Sequence, residues 1–235
     1  MELLYETILV EKQVWGNALI LNRPEKLNAL SPTLVEELHD VLQQLVEEKP
    51  NLLLIKGAGS SFCSGHDLST PLPEKKDAGI IKLQKITECI VNFPAPVIAE
   101  VSGYALGAGC ELALNCDLIY ASEKAVFGFP ELKVGLSITQ GSSFFLPRAV
   151  GLPKAKELLF FSQNISSQEA LKLRLINDIY PEDKLASIVH EKLVTLSKNS
   201  PSALKAIKDL FNKGVQSSFE ESLEFEVEEL VKLLN

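Results

Sequence analysis

The chain has 235 residues, of which 46% are apolar and 23% charged, and its formal net charge is −8. This composition is ordinary for a soluble globular protein with a full core, built as one large domain or as a domain with a smaller appended unit. The negative charge argues against nucleic acid or an anionic membrane as the main partner, because both require a basic footprint.

Cysteine and histidine usage predicts neither disulfides nor a metal site. Cys63, Cys89, Cys110 and Cys116 form no CxxC pair, and the three histidines are far apart in sequence. A reduced intracellular compartment without structural zinc is the simplest interpretation. The start of the chain carries acids instead of a basic n-region, and no apolar stretch reaches membrane-spanning length. We therefore expect a cytoplasmic protein.

Strands and helices alternate along roughly the first 180 residues. The apolar runs at 5–10 and 17–22 flank Trp15-Gly16-Asn17 and predict a hairpin. Ser31-Pro32 predicts an N-cap followed by proline at the first helical position, and leucines at helical spacing continue to Leu45. The remaining predictions, in chain order, are a strand at 52–55, a helix near 79–92 after a mobile-looking stretch at 69–79, a strand at 97–101, a helix from Gly107 and a strand at 118–120.

From about residue 181 onward the pattern is wholly helical. Ser166-Ser-Gln-Glu169 forms a capping box for a short helix before this point, and further helices are predicted at 183–197, 202–213 and 219–234. Acidic residues are frequent in the last helix, and we assign them to the wet face of an amphipathic helix. The order of elements predicts an α/β body at 1–181 followed by a helical C-terminal unit at 182–235.

Two glycine-rich segments follow predicted strands and carry the first chemical signal. In Ser60-Ser-Phe-Cys-Ser-Gly-His-Asp-Leu68 the glycine lets the backbone turn sharply, which can leave the N–H of His66 pointing into a cavity. In Gly103-Tyr-Ala-Leu-Gly-Ala-Gly-Cys-Glu111 the helix from Gly107 offers free N–H groups and the positive end of its dipole. Two such donors would hold a developing oxyanion. Each segment alone is weak evidence, because most glycine-rich turns are only turns.

The second segment also imitates a dinucleotide fingerprint. Gly107-x-Gly109 follows a strand and opens a helix, but the third small residue of GxGxxG would fall at Leu112, and no acidic residue is placed to bind a ribose. The chain also contains no GxxxxGK[ST] loop and no GxSxG elbow. These patterns argue against a standard nucleotide-binding loop and against a serine hydrolase.

Glu111 and Glu131 lie in the most apolar sequence surroundings of the chain. Glutamate is rarely buried without a reason, and burial raises a carboxyl pKa toward neutrality, where one group can donate a proton while another accepts one. Taken singly, Glu111 would most often reach the surface, and Glu131 would be an acid in a helical first turn. Their occurrence together with two glycine-rich loops favours acid/base chemistry on a bound, polarised substrate.

Several segments together resemble the crotonase superfamily, most closely the enoyl-CoA hydratase/isomerase family, from near the start to about residue 230. They are Leu21-Asn-Arg-Pro-Glu-Lys-Leu-Asn-Ala-Leu30, Phe62-Cys-Ser-Gly-His-Asp-Leu68, Gly103-Tyr-Ala-Leu-Gly-Ala-Gly-Cys-Glu-Leu-Ala-Leu-Asn-Cys-Asp117, Phe127-Gly-Phe-Pro-Glu-Leu-Lys-Val-Gly-Leu136 and Leu146-Pro-Arg-Ala-Val-Gly151. The resemblance implies an α/β, crotonase-like spiral of ββα units with a C-terminal helical unit that mediates trimerisation, often with two trimers stacked into a hexamer. It also implies an acyl-CoA substrate, with no metal and no cofactor besides the coenzyme A of that substrate.

The same resemblance assigns the catalytic roles. The oxyanion donors would be the backbone N–H groups of His66 and Ala108, and the paired acids would be Glu111 and Glu131. The implied reaction is hydration of a 2-enoyl-CoA thioester. In it, Glu111 deprotonates water for attack at C3, and Glu131 delivers a proton to C2.

The resemblance also implies that Lys26, Ser64 and Asp67 contact CoA. The chain departs from the family pattern in three places: Ser69 stands where hydratases often have a lysine, the loop Ser137-Ile-Thr-Gln-Gly-Ser-Ser143 replaces the commoner Pro-Gly-Ala-Gly-Gly type, and the sequence stops at Asn235 before the usual closing tail. We therefore expect an altered wall near the acyl group and weakened closure over CoA.

Three alternatives to hydration stay open. A Δ3-Δ2-enoyl-CoA isomerase needs only one proton-shuttling acid, here Glu131. Decarboxylases and thioesterases acting on acyl-CoA share the fold, and Gly65-His66-Asp67 occurs in some decarboxylase relatives. A catalytically quiet acyl-CoA-binding protein would keep both glutamates for structural reasons.

Overall fold

A computed structural model describes residues 5–69 and 76–234; for residues 76–78 it describes the backbone. The strands within these ranges are β1 (Ile8–Gln13), β2 (Gly16–Leu21), β3 (Leu53–Gly57), β4 (Val97–Val101), β5 (Tyr104–Leu106), β6 (Leu118–Ser122), β7 (Val126–Gly128), β8 (Asn164–Ser166) and β9 (Asp178–Tyr180). The α-helices are α1 (Pro32–Glu48), α2 (Lys76–Val91), α3 (Ala108–Leu114), α4 (Ser142–Val150), α5 (Leu152–Phe160), α6 (Ser167–Lys172), α7 (Leu185–Leu196), α8 (Pro201–Gly214) and α9 (Phe219–Leu234).

Six strands form the main sheet, in the order β1-β2-β3-β4-β6-β9. The predicted hairpin is the antiparallel pair β1/β2, and every other pairing in this sheet is parallel. Parallel strands are covered on both faces and therefore consist of continuous apolar runs. Leu53, Leu54 and Ile55 of β3 are all buried, as this rule requires. A second sheet has the order β5-β7-β8.

Local sequence signals account for the helix boundaries. Ser31 caps α1 by accepting the Leu34 N–H at 3.2 Å, and Pro32 opens the helix, as predicted. Ser166 likewise accepts the Glu169 N–H at 3.2 Å at the start of α6. Helix α2 begins at Lys76, three residues before the predicted start, so 76–79 is helical. Of the rest of the stretch predicted as mobile, Ser69 hydrogen-bonds to Asp67, and residues 70–75 lie outside the described residues.

Two apolar clusters cover the two faces of the main sheet. The larger cluster joins the sheet to α1, α2 and α3 through residues such as Leu38, Ile86 and Leu112. The smaller cluster packs Trp15 and Ile98 against α7, which contributes Leu185, Val189 and Leu193. The sheet is therefore sandwiched, and this arrangement fixes the carboxyl ends of its strands, from which the glycine-rich segments start.

The two last helices pack against each other, and α8 is tied to the body by Lys208. Its ammonium donates to the carbonyl oxygens of Ile90 (3.0 Å) and Ala95 (3.2 Å) and pairs with Asp117 at 2.8 Å. The division at 181/182 stays a prediction. No helix in the described ranges combines the length and the apolar composition that a bilayer crossing demands.

Candidate active site

The loop at 60–67 lies against the N-terminal turn of α3. The Cys63 N–H donates to the Tyr104 carbonyl at 2.9 Å, and the Leu106 N–H donates to the Cys63 carbonyl at 3.0 Å, which aligns the loop with β5. At Gly65, whose φ is +97°, a β-carbon would lie 2.8 Å from the Leu106 carbonyl oxygen and 3.6 Å from the Ala108 nitrogen. Only glycine permits this approach, so both glycine-rich segments meet at one place.

The amides of His66 and Ala108 have no hydrogen-bond partner among the described residues. Leu30 bonds to the residues on either side of His66: its N–H donates to the Gly65 carbonyl at 2.8 Å, and its carbonyl accepts the Asp67 N–H at 3.1 Å. Ala108 is the first residue of α3, where a helix leaves its N–H groups unsatisfied. Their role as oxyanion donors stays a prediction.

Glu111 is buried, with 1% of its surface exposed, and its carboxylate is held by three donors. The Thr139 N–H donates to Oε1 at 2.7 Å, the Thr139 hydroxyl donates to Oε2 at 2.9 Å, and the Gln140 amide Nε2 donates to Oε2 at 3.2 Å. A carboxylate, which only accepts hydrogen bonds, fits this environment because all three of its hydrogen-bond partners are donors.

Glu131 is 8% exposed, and neither of its carboxyl oxygens has a hydrogen-bond partner among the described residues. Desolvation by burial raises the pKa of Glu131 to about 7; the residue's own backbone N–H opposes this rise, and the negative charge of Glu111 adds to it. The carboxyl lies next to Gly107, where a β-carbon would be 3.1 Å from Oε1. Gly107 also accepts the Glu111 N–H at 2.9 Å, so both glutamates flank the first turn of α3.

The His66 ring lies within the electrostatic reach of Glu111. His66 keeps contact with solvent, but neighbouring protein desolvates its ring and lowers its pKa, while the charge of Glu111 opposes that change. A neutral ring results near neutral pH. It adds no positive charge that would hold Glu131 in its ionised form.

The residues carried over as CoA contacts lie along one edge of the same loop. Lys26 is exposed, and its carbonyl oxygen is 3.5 Å from the Ser64 hydroxyl. Asp67 pairs with Arg23 at 2.9 Å and accepts the Ser69 hydroxyl at 2.5 Å. These hydrogen bonds and the guanidinium lower the pKa of Asp67. The contacts give Asp67 a structural task in the loop, and its contact to CoA stays a prediction.

Sequence reasoning missed two groups of residues at this site. It assigned the loop around Thr139 and Gln140 only to the wall near the acyl group, although both side chains bind Glu111. It also gave no role to Arg23, which lies in the segment that carried the family resemblance and pairs with Asp67. The available signal was the departure of the loop at 137–143 from the common family pattern.

Comparisons with known proteins identify the relatives of the chain. A sequence profile of the family described as "Enoyl-CoA hydratase/isomerase" matches residues 17–235. The short-chain-enoyl-CoA hydratase of Clostridium acetobutylicum is 35% identical over 227 residues, which cover 94% of this chain and 87% of that protein. The crotonyl-CoA hydratase of Syntrophomonas wolfei is 32% identical over 230 residues, covering 95% of this chain and 88% of the relative.

Solved structures agree with these sequence matches. The enoyl-CoA hydratase of Bacillus anthracis has 30% identity and a TM-score of 0.92, with 97% of this chain and 91% of that chain covered. The predicted crotonase-like α/β fold with C-terminal helices is confirmed by this likeness.

Proposed function

This chain belongs to the enoyl-CoA hydratase/isomerase family, and we propose that it hydrates a 2-enoyl-CoA thioester to a 3-hydroxyacyl-CoA. One observation carries the proposal: two buried glutamates flank the first turn of α3 in opposite hydrogen-bonding states. Glu111 has three donors, whereas Glu131 has no partner among the described residues. Hydration needs this asymmetry, because one group takes a proton while the other gives one.

The thioester carbonyl is the group that activates the substrate. The amides of His66 and Ala108, which are free of other partners in the described structure, would donate to its oxygen. As charge moves onto that oxygen, C3 becomes electrophilic. Removing one such donor typically costs about 3 kcal/mol of transition-state stabilisation.

Proton movement then divides between the two glutamates. Glu111 takes a proton from water as the water oxygen bonds to C3, and the C2–C3 π electrons move toward the thioester oxygen. Protonated Glu131 gives its proton to C2 and becomes ionised. Passage of the proton from Glu111 to Glu131 restores the starting state, so one water is consumed for each product. A pKa of Glu131 of about 7 supports its part in this cycle.

The proposal also includes the oligomeric state and the cellular location of the protein. A homotrimer, or a hexamer of stacked trimers, is supported by α8 and α9, which expose these apolar side chains in the single chain: Ile207, Phe211, Phe219, Val227 and Leu230. A cytoplasmic location is supported by Cys63, Cys89, Cys110 and Cys116, all free thiols. The proposal requires no metal and no cofactor apart from the coenzyme A of the substrate.

Turnover of crotonyl-CoA tests the proposed reaction. We expect the absorbance of the enoyl thioester to fall with the wild-type protein. In Glu111→Gln and in Glu131→Gln the rate should fall roughly 10²–10⁴-fold, because each change removes one proton-transfer group. Glu123→Gln, which alters an exposed glutamate, is the matched control and should keep the wild-type rate. A wild-type protein that binds crotonyl-CoA without consuming it would refute the proposal.

Isomerisation of a 3-enoyl-CoA is the second candidate, because the unpartnered Glu131 alone has the properties of a single proton shuttle. The effect of substituting Glu111 distinguishes the two reactions. Conversion of a 3-enoyl-CoA that persists in Glu111→Gln and fails in Glu131→Gln would identify isomerisation. Loss of hydration in both variants identifies the hydratase.

A further inference from the structure

We propose that the side chains of Thr139 and Gln140 are positioning residues that hold Glu111 in one orientation and leave a single oxygen position for the reacting water. These two side chains are called the carboxylate clamp below. The inference rests on the proposed hydratase function and deepens it, because it specifies which atom of Glu111 takes the proton.

The clamp leaves one acceptor position open on Glu111. An ionised carboxylate offers about four acceptor positions, two on each oxygen. The Thr139 hydroxyl and the Gln140 amide occupy both positions on Oε2, at 2.9 and 3.2 Å. The Thr139 N–H occupies one position on Oε1, at 2.7 Å. The remaining position is on Oε1, so this oxygen is the atom that receives the proton from water.

The orientation of the Gln140 amide is fixed by its two acceptors. Nε2 donates to Glu111 Oε2 and also to the Ala108 carbonyl oxygen at 3.1 Å. Reversing the amide would place its own oxygen against both of these oxygens, so the nitrogen must face them. The base and the first residue of α3 are thereby joined through one side chain. Glu111 and the predicted oxyanion donor at Ala108 keep a constant relative position.

The conformation and burial of Gln140 lower the stability of the folded protein. The residue is fully buried, its Oε1 has no hydrogen-bond partner in the described part of the chain, and its φ is +46°, in the left-handed region. An unpaired buried acceptor and a left-handed non-glycine residue both lower stability. Strain of this kind persists at functional sites when it serves the site. Here the benefit is the donor that Gln140 provides to Glu111.

The clamp adds no charge to its surroundings. Thr139 and Gln140 are neutral, whereas the titratable groups that interact with Glu111 are Glu131, the ring of His66 and the buried thiol of Cys110. Burial raises the pKa of the Cys110 thiol, so this group is neutral as well. The clamp can therefore orient Glu111 without adding a positive charge that would oppose protonation of Glu131.

Paired substitutions separate orientation from simple packing. Thr139→Val keeps the shape and removes the hydroxyl donor, whereas Thr139→Ser keeps that donor. Gln140→Met keeps an unbranched side chain of the same length and removes both the donor and the unpaired oxygen. We expect kcat for crotonyl-CoA to fall roughly 10- to 100-fold in Thr139→Val and Gln140→Met, with KM nearly unchanged. Thr139→Ser should recover most of that loss.

The thermal midpoint provides the second measurement. Gln140→Met should not lower it, because the lost hydrogen bonds are offset by removal of the unpaired oxygen. A variant that loses activity while keeping its stability shows that Gln140 serves the reaction. Gln43→Met, at an exposed position of α1, is the control and should keep both the rate and the midpoint. Wild-type kcat in both Thr139→Val and Gln140→Met would overturn the proposal.

Crystal structures test the clamp independently of turnover. If the wild-type protein fails to hydrate crotonyl-CoA, the proposed function is wrong, and the orientation of Glu111 can still be compared between unliganded crystals. A single Glu111 conformer in the wild type and a displaced or split one in Thr139→Val/Gln140→Met would support the clamp. An identical conformer in both proteins would overturn it.

Discussion

Glu111 and Glu131 are both more than nine-tenths buried, and the supply of hydrogen-bond donors makes them different. A buried ionised carboxylate must be compensated by donors, and a buried neutral carboxyl needs less compensation. Glu111 has three donors, whereas Glu131 has none in the described part of the chain. In the proposed reaction, two residues of the same type would therefore take opposite parts in proton transfer.

The rate of hydration should fall on the alkaline side of neutrality. The pKa of Glu131 is raised to about 7, so below this pH the carboxyl carries the proton that C2 requires, and above it the carboxylate cannot donate. We expect kcat/KM for crotonyl-CoA to decrease about tenfold per pH unit well above pH 7. The measurement is a pH profile at constant ionic strength. A constant kcat/KM between pH 6 and pH 9 would show that Glu131 is not the acid.

At the scale of elements, the site depends on the close packing of α3 against the loop at 60–67. A β-carbon on Gly109 would lie 2.2 Å from the Cys63 carbonyl oxygen and 2.8 Å from the Cys63 carbonyl carbon. Cys63 in turn bonds to both ends of β5. The loop, the strand and the helix therefore form one unit, which carries the amides of both His66 and Ala108.

Gly109→Ala should separate these elements. The added methyl group cannot avoid the Cys63 backbone, so α3 must move away from the loop, at a cost of roughly 1–3 kcal/mol in the free energy of unfolding. The movement changes the distance between the His66 and Ala108 amides, and we expect hydration to slow by about 100-fold. Thermal unfolding and crotonyl-CoA kinetics measure the two effects.

Gly214→Ala provides the control for this substitution. A β-carbon on Gly214, the last residue of α8, would lie 3.7 Å from the Ser222 hydroxyl oxygen of α9, an ordinary van der Waals contact. The free energy of unfolding should stay the same or rise by roughly 0.5–1 kcal/mol, because alanine favours a helix. Equal behaviour of both glycine variants would contradict the packing argument.

At the scale of the whole molecule, Lys208 fastens the C-terminal helices to the sheet-containing body. The ammonium is buried between the end of α2 and the end of α3, where Asp117 also accepts the Val97 N–H at 2.7 Å. Burial raises the pKa of Asp117, and the charge of Lys208 opposes that rise. One ion pair thus joins α8, α2 and β4.

Lys208→Met should destabilise the protein by roughly 3 kcal/mol, because it leaves the Asp117 carboxylate without its partner. The thermal midpoint should fall by roughly 6–12 °C. In the double variant Lys208→Met/Asp117→Asn, the loss should be smaller than in Lys208→Met alone, since no unpaired charge remains. A double variant that is less stable than the single one would contradict the ion-pair explanation.

The exposed apolar face of α8 and α9 predicts the assembly. Phe211 and Val227 are 70% and 63% exposed in the single chain, and large exposed apolar side chains of this kind are typical of a protein–protein interface. Light scattering should give three or six times the chain mass of 25.8 kDa. Phe211→Glu and Val227→Glu should shift the protein toward the monomer, whereas Glu224→Gln, in α9 like Val227, should not. A monomeric wild-type protein would refute the trimer.

The sequence by itself determined the elements whose signals are local. The cap at Ser31, the apolar periodicity of α1 and the uninterrupted apolar run of β3 are encoded in neighbouring residues, and the structure confirms all three. The glycine-rich segments and the two glutamates could also be recognised from the local sequence. Sharp turns require glycine, and a buried acid has apolar neighbours. The three-residue strands β5, β7, β8 and β9 were missed, since runs this short carry no periodic signal.

Only the tertiary structure decided which residues act on one another. Glu111 is bound by Thr139 and Gln140 from the loop that precedes α4, and Asp67 is paired with Arg23 from another loop. The last helix shows the same limit: most of its apolar side chains are exposed, and the acid Glu229 is buried, although the sequence assigned the acids to solvent. The physical reason is that hydrogen bonds and desolvation depend on distances in space, and chain folding sets those distances.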